Sequence, residues 1–560
     1  MSSPPEGMIV RVFGDLVLVG VDDDSLREFG KRGKYVKIVT KTGEELIGIV
    51  SNINLTDELY RQSGGRLELI RGYEELTLVR NEVIVSILGT LTSDGVDRRI
   101  LSTPTPGDRV YPLDDEKLSE IFSNGDIEIG VLNTQRGVRV TLDLNELATK
   151  HLAILAMTGS GKSNALGIII LNLLEKFTYP RILLIDTHSE YIPLKFIDGY
   201  EDRVRIYAPR GRLRDALIDI GIDVEDLEIP YWLLNIDEWY SLIGLDARAT
   251  KQRRIFRAAL RSVKENELPG SRLNDPIYFE IGHLLNMLER MRDSDEVLMK
   301  LEDALDNEDY DFIFKPSNAL QLKDDPKKMF FLITKPVLSN GLNIISLGGL
   351  SSEVQNVVTS MLLRWLFRIS IEAKLKRMPI PMMIAVEEAH VYAPEYFTPA
   401  KYILEKIAKE GRKFGIGLIV VSQRPRELSQ TLLAQCGTLI ALRTVNPSDQ
   451  AHIQRSMEDV TQMVLSSLPS LGKGEAVISG PAIPIPGIVK IHHFDEQAER
   501  ICNRKVSLGG KDVDFKTLWM ESLNEEALDE ILRDIYTVSR ESRESFEEEK
   551  RGTLDKFFGE

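Results

Sequence analysis

At 560 residues the chain is too long for one hydrophobic core, so two or three domains are expected. With 43% hydrophobic and 28% charged residues it reads as a soluble globular protein; no apolar run reaches the length of a membrane span, and Met1 to Gly7 lacks a signal peptide's regions. The net charge of −16 excludes a surface that is basic all round but leaves room for a local basic channel, and the two cysteines, Cys436 and Cys502, lack metal-ligand spacing, so a reducing, cytoplasmic setting without structural zinc is expected.

Residues 8–90 alternate apolar and polar at period two, as in Ile9-Val10-Arg11-Val12 and Tyr35-Val36-Lys37-Ile38-Val39, with Gly-Asp and Thr-Gly turns between the runs. Short strands with such punctuation predict a small β-barrel or sandwich, closed by Asn81–Leu91 and Arg109–Tyr111 and serving as a binding or assembly module over residues 1–115. A connector over 116–150 follows Pro104, Pro106 and Pro112, with a short helix near Glu116–Phe122. From Ile127 the pattern changes to strands alternating with helices. Strands are expected at 152–155, 181–185, 203–207, 329–333, 343–347, 382–386, 416–421 and 437–442, and helices at 164–177, 351–374, 398–413, 425–434 and 447–456. That alternation implies an α/β domain over 151–500, its mostly parallel sheet covered on both faces. Between about 212 and 325 the chain reads as a mainly helical, charged insertion with Trp232, Trp239 and Met287 as core anchors. The remainder, 501–560, reads as a C-terminal segment with an acidic stretch at Glu541–Glu549.

The chemistry is stated at residues 151–164, His-Leu-Ala-Ile-Leu-Ala-Met-Thr-Gly-Ser-Gly-Lys-Ser-Asn. The apolar run Leu152–Ala156 is a buried strand, Thr158-Gly159-Ser160-Gly161 a glycine-rich turn, and Asn164, counted with the loop among the nucleotide-binding residues, opens an apolar helix. Strand, loop and helix in that order make a P-loop whose backbone N–H groups face a triphosphate. Lys162 is placed to reach the β/γ-phosphates of ATP and the Ser163 hydroxyl to hold Mg²⁺. Ala156 stands where the motif has its first glycine, which is tolerable if its φ stays negative.

Pro381 to Val386 is a second buried strand, ending in Glu387-Glu388. A P-loop hydrolase needs one acid for the Mg²⁺ shell and one to polarise the attacking water, so Glu387 is assigned to the metal and Glu388 to the water. Because strand side chains alternate, only one of the two need point inward; a pair of acids opening a helix is the alternative, which the P-loop outweighs. Asp186 and Glu190 follow the strand Ile182–Ile185 and lie beside the phosphates if that strand neighbours the P-loop; a capped turn is the alternative. Gln423 ends the strand Gly417–Val421 and is suited to the γ-phosphate or the water. Arg412, with Lys413, sits at a helix end, either favouring the helix dipole or completing a neighbour's ATP site. Basic clusters occur at Arg210/Arg212/Arg214, Lys251/Arg253/Arg254 and Arg424/Arg426, each readable as a solvated face or as phosphate contacts.

These motifs together resemble archaeal HerA, DNA translocases of the HerA/FtsK superfamily. The likeness runs over roughly 8–520 and includes Ser422-Gln423-Arg424-Pro425 and Leu471-Gly472-Lys473-Gly474-Glu475-Ala476. It implies a RecA-like P-loop motor capped by a HAS-barrel-like domain, working as a hexameric homo-oligomer around double-stranded DNA. It also implies a NurA-type nuclease partner in end resection, while the C-terminal segment reads as bracing a neighbouring subunit or simply covering the core. By the same likeness Glu388 is the catalytic acid, Gln423 a sensor and Arg412 a trans-acting arginine, while the 210–214 and 251–254 clusters line a basic pore. A conjugation- or secretion-type pumping ATPase of the superfamily, or a non-motor P-loop kinase or scaffold, are the competing readings.

Overall fold

The computed structural model describes residues 6–57, 79–93, 95–135, 137–197, 199–378, 380–456 and 467–502. The C-terminal segment and its acidic stretch lie outside them, apart from the end of the helix Phe494–Cys502.

Seven strands build the N-terminal part: β1 (Gly7–Phe13), β2 (Leu16–Val21), β3 (Tyr35–Val39), β4 (Glu45–Asp57), β5 (Val79–Thr92), β6 (Gly95–Asp97) and β7 (Arg109–Pro112). They run β2-β1-β7-β3-β4-β5-β6, and a further β2–β5 pairing closes the first six into an antiparallel barrel. Closure leaves no free edge among those six, and the alternating residues Val17, Val19, Val36, Ile38, Val83 and Val85 fill the interior. The expected closing strands are therefore β5 and β7.

The second sheet has twelve strands: β8 (Ile127–Leu132), β9 (Arg139–Leu142), β10 (Leu152–Leu155), β11 (Arg181–Asp186), β12 (Val204–Ala208), β13 (Glu225–Asp226), β14 (Gly341–Ser346), β15 (Met382–Val386), β16 (Ile416–Ser422), β17 (Thr438–Leu442), β18 (Glu475–Ser479) and β19 (Gly487–Ile491). Their order is β13-β12-β14-β11-β15-β16-β10-β17-β18-β19-β8-β9, parallel from β13 to β17 and antiparallel from there on. Strands β10, β14, β15, β16 and β17 are buried along their full length, which is why they read as unbroken apolar runs. Strands β8 and β9, inside the stretch expected as a connector, are the far end of this sheet.

The expected strand at 329–333 is a helix, Pro326–Leu338. Asp325 caps it by accepting from the backbone N–H of Lys328 at 3.1 Å, and Pro326 occupies its first turn. Met329 and Ile333, one turn apart, form the buried face, and a five-residue apolar run cannot by itself distinguish that spacing from a strand.

The insertion is helical and built on aromatic packing. Tyr231 meets Trp232, Trp239, Phe279 and Phe314 at centroid distances of 4.9, 6.1, 5.3 and 6.1 Å. Both tryptophans are fully buried, and Met287 is partly so. Buried Glu238 accepts from Arg364 Nη2 at 2.7 Å and Ser360 Oγ at 2.8 Å, tying the insertion to the long helix Ser352–Leu375.

Barrel and second sheet are clamped together by Arg98. Its Nε donates to the Pro484 carbonyl at 3.0 Å, and Nη2 donates to those of Gly480 and Ile483 at 2.6 and 2.5 Å. The Tyr35 hydroxyl donates to the Pro486 carbonyl at 2.9 Å beside it. Arg98→Ala leaves three carbonyls without this donor, a loss on the order of 1–3 kcal/mol. Amide exchange in 480–487 and in the barrel strands is expected to accelerate while nucleotide affinity stays unchanged; unaltered exchange would show that the clamp carries no load.

Candidate nucleotide site

Parallel register brings the site to one edge of the sheet. Leu155 lies opposite Ser422, Val386 opposite Val420, and Ile185 opposite Val386, so β10, β16, β15 and β11 end together, in that spatial order. The strand carrying the acid pair is thus one strand removed from the P-loop strand, with β16 and Gln423 between them. Strand β11 does not neighbour β10.

The loop 156–163 takes the shape its glycines permit. Gly159 and Gly161 have φ of +77° and +112°, the left-handed side that favours glycine, whereas Ala156 keeps a negative φ. The helix Lys162–Lys176 starts directly behind, its first N–H groups open toward the loop. Gly474 N–H donates to the Ser160 carbonyl at 3.0 Å, so the Leu471–Ala476 motif supports the P-loop from below. Asn164 is engaged elsewhere: its amide donates to the His492 carbonyl and accepts from the Phe494 N–H, both at 2.8 Å. It anchors the helix to the end of β19 rather than turning its amide to the loop.

Both acids point inward. Glu387 is fully buried and Glu388 is 2% exposed, because β15 ends at Val386 and Glu388 turns the chain with φ +46°. A left-handed glutamate is strained by on the order of 1–2 kcal/mol, and here the strain aims its carboxylate back at the loop. Glu388 Oε1 accepts from Lys162 Nζ at 2.5 Å, while Oε2 stands 3.3 Å from His390 Nδ1 and 3.4 Å from the Gln423 N–H. The Gln423 side chain accepts from the Thr158 hydroxyl at 2.7 Å, joining β16 to the P-loop.

Around Glu387 the pattern is one of surplus negative charge. Neither of its oxygens has a hydrogen-bond donor. Burial first, then the neighbouring Asp186 and Glu190, hold its carboxyl far above the usual range, with Lys162 opposing them. Asp186, also buried, is raised for the same leading reason although it accepts from the N–H groups of Glu190 and Tyr191 at 3.0 Å each. Glu190 reaches back from β11 to accept from the Ser163 hydroxyl at 2.6 Å. Enclosed carboxylate oxygens without donors, next to the P-loop serine, suit a hard divalent cation such as Mg²⁺. Among the described residues no three His, Cys, Asp or Glu side chains form a metal cage by themselves.

Arg412 is exposed on the short turn Gly411–Phe414, before β16 begins. The P-loop lies beyond the other end of β16, whose seven residues at about 3.3 Å each span roughly 20 Å. Arg412 therefore cannot touch its own chain's P-loop; it lines a cleft with Arg98, Lys150, His151, Lys409 and Gln435. His151 pins that turn's helix to the P-loop strand: Nδ1 accepts from the Leu418 N–H at 3.1 Å, leaving Nε2 to donate to the Ala408 carbonyl at 3.0 Å.

The basic clusters separate on inspection. Arg210 and Arg214 pair with Asp226 at 2.7 and 2.6 Å, Lys251 pairs with Asp293 at 2.9 Å, and Arg253 lies over the Tyr240 ring at 4.5 Å. Arg424 pairs with Glu427 at 3.3 Å. Arg212 and Arg254 are exposed, and Arg257 and Arg261 continue the Arg254 face along the helix Thr250–Glu267. Sequence reasoning passed over His390, whose only signal was its place two residues after the acid pair.

Comparison with known proteins adds family evidence. Residues 127–366 match the model for the central domain of helicase HerA, and residues 366–549 match the HerA-like helicase C-terminal model. A probable helicase of Methanocaldococcus jannaschii is 34% identical over 88% of this chain and 90% of its own length. The DNA double-strand break repair helicase HerA of Pyrococcus furiosus is 30% identical over 87% of this chain and 92% of its own. Among solved structures, VirB4 of Thermoanaerobacter pseudethanolicus aligns over 66% of this chain and 97% of its own with 15% identity and a TM-score of 0.47.

The raised carboxyl of Glu387 has a consequence for stability. A carboxyl whose folded pKa is raised favours the fold fully below its unfolded value, near 4.5, and progressively less as pH climbs toward the folded value. Glu387→Gln removes that penalty. Without nucleotide the variant is expected to melt higher than the parent at pH 8, with a smaller gain at pH 6 and none at pH 4, by scanning fluorimetry. A pH-independent difference would mean that Glu387 is not strained by its charge.

Proposed function

The chain belongs to the HerA helicase family, and from that membership and the site geometry we propose that it is an ATP-driven translocase of double-stranded DNA, working as a hexameric ring. The observation that carries the reading is the two-edged sheet: Lys162, Glu388 and Gln423 meet at one edge, and Arg412 stands at the other. An arginine so placed can complete a nucleotide site only on a second copy, and a closed ring lets each subunit serve the next.

In this reading Thr158 to Ser163 cradle ATP. Ser163 and Glu387, with Asp186 and Glu190 behind them, would hold Mg²⁺, which would supply charge neutralisation when bound. Lys162 leaves Glu388 for those phosphates, and the freed Glu388 carboxylate orients the attacking water. Gln423 reports the nucleotide state through its Thr158 contact, and a neighbour's Arg412 stabilises the developing charge. The exposed Arg212 and the Arg254 face are the candidates for phosphate contacts inside a pore, which accommodates the net charge of −16 outside it. The names of the relatives support a role in DNA break repair, and the proposal extends it to a cytoplasmic setting and a NurA-type nuclease partner. No helix among the described residues is long and apolar enough to cross a membrane.

Glu388→Gln is expected to keep ATP affinity and lose DNA-stimulated hydrolysis and translocation; preserved hydrolysis and translocation would overturn Glu388 as the acid that orients the water. Solution mass is expected to show a multiple of 63.3 kDa that persists with ATP and duplex DNA, whereas a monomer indifferent to DNA would end it. Arg412→Ala and Lys162→Ala subunits, each inactive alone, are expected to recover ATPase when mixed, because a Lys162→Ala neighbour can lend its arginine. Mixtures that stay inactive would argue against a shared site.

A further inference from the structure

The carboxylate of Glu388 has its two oxygens held by different means. Oε1 is held by Lys162, an ammonium that must leave for the phosphates when nucleotide arrives. Oε2 accepts from the Gln423 N–H at 3.4 Å and stands 3.3 Å from His390 Nδ1, within reach of that ring nitrogen. Once Lys162 goes, Glu388 keeps only these two contacts. The Gln423 N–H contact is long for a strong bond, and the Gln423 side chain is already engaged by the Thr158 hydroxyl of the P-loop.

His390 is the better fixed of the two. Its side chain is only 10% exposed, and its Nδ1 also stands 3.2 Å from the hydroxyl of Ser422, the last residue of β16. The Ser422 hydroxyl in turn accepts from the Arg424 N–H at 3.1 Å, so the ring is tied to the end of a fully buried strand. The ring itself rides on the single helical turn Ala389–Tyr392, which follows the left-handed Glu388. Imidazole and carboxylate thus leave the same strained turn and meet over the end of the neighbouring strand.

We propose that His390 is a positioning residue for hydrolysis: it holds Oε2 of Glu388 after Lys162 has transferred to the nucleotide, leaving Oε1 aimed at the attacking water. The inference rests on Glu388 being the acid that orients the water. Lys162 and His390 divide the work in time, the first restraining the carboxylate in the empty site and the second in the loaded one. Displacing a reacting group by about 1 Å can cost on the order of 100-fold in rate, so a modest contact is enough to matter.

The experiment uses the full-length oligomer with duplex DNA, measuring steady-state ATPase and equilibrium binding of a fluorescent ATP analogue. His390→Ala is expected to lower kcat by on the order of 10–100-fold while KM and analogue affinity stay within about twofold. His390→Asn, whose amide N–H can replace Nδ1, is expected to recover most of the loss. A His390→Ala enzyme with normal kcat overturns the proposal, as does one that loses analogue affinity in parallel, or an Asn variant as poor as Ala. Glu388→Gln run alongside separates the two levels: if it hydrolyses ATP normally, the acid assignment itself has failed, whereas an inactive Glu388→Gln beside a normal His390→Ala rejects only the positioning role.

Discussion

Four carboxyl groups, those of Asp186, Glu190, Glu387 and Glu388, converge beside the P-loop, and the ammonium of Lys162 faces them. Burial makes that surplus expensive, since an unpaired charge cannot be left in a low-dielectric site. The empty site relieves it by raising the carboxyl groups of Asp186 and Glu387 and by spending Lys162 on Glu388. In the proposed function a divalent cation would answer the carboxylates and the phosphates would claim the lysine.

Such a cluster needs a frame that does not yield. The parallel strands β10, β16, β15 and β11 supply it, each buried along nearly all its length and each ending at the same edge. The same strands carry position to the opposite edge, where His151 fixes the turn bearing Arg412 to the start of β10. Through Arg98, whose carbonyl partners lie between β18 and β19, the barrel is attached to the antiparallel end of that sheet. One continuous sheet therefore carries the phosphate loop, the turn bearing the outward arginine and the attachment of the barrel.

Much of this architecture was legible in the residue order. The period-two pattern marked the barrel strands, and apolar runs ending in Gly-Ser-Gly-Lys-Ser, Glu-Glu and Ser-Gln marked three strands of the site. The failure at 329–333 came from a run too short to carry a period, where Asp325 and Pro326 were the better guide. Alternation suggested that Glu387 and Glu388 would diverge; a left-handed backbone at Glu388, invisible to any pattern, turned both inward. Glu190 fits for a similar reason, since the loop after β11 folds back to Ser163 although β11 itself is three strands from β10. His390 left no trace in composition because its importance lies in distance alone.

By itself the sequence determined that a triphosphate loop exists, that acids and an amide stand at buried strand ends, and that a closed β-domain precedes them. These follow from local chemistry: glycine's tolerance of positive φ, the burial of apolar runs and the periods of strand and helix. Only the tertiary structure decided which oxygen faces Lys162, that Asn164 braces the helix rather than facing the loop, and that Arg412 lies an entire strand length from the P-loop of its own chain. Strand order and register are set by long-range pairing, and no spacing along the chain encodes which strand ends will meet.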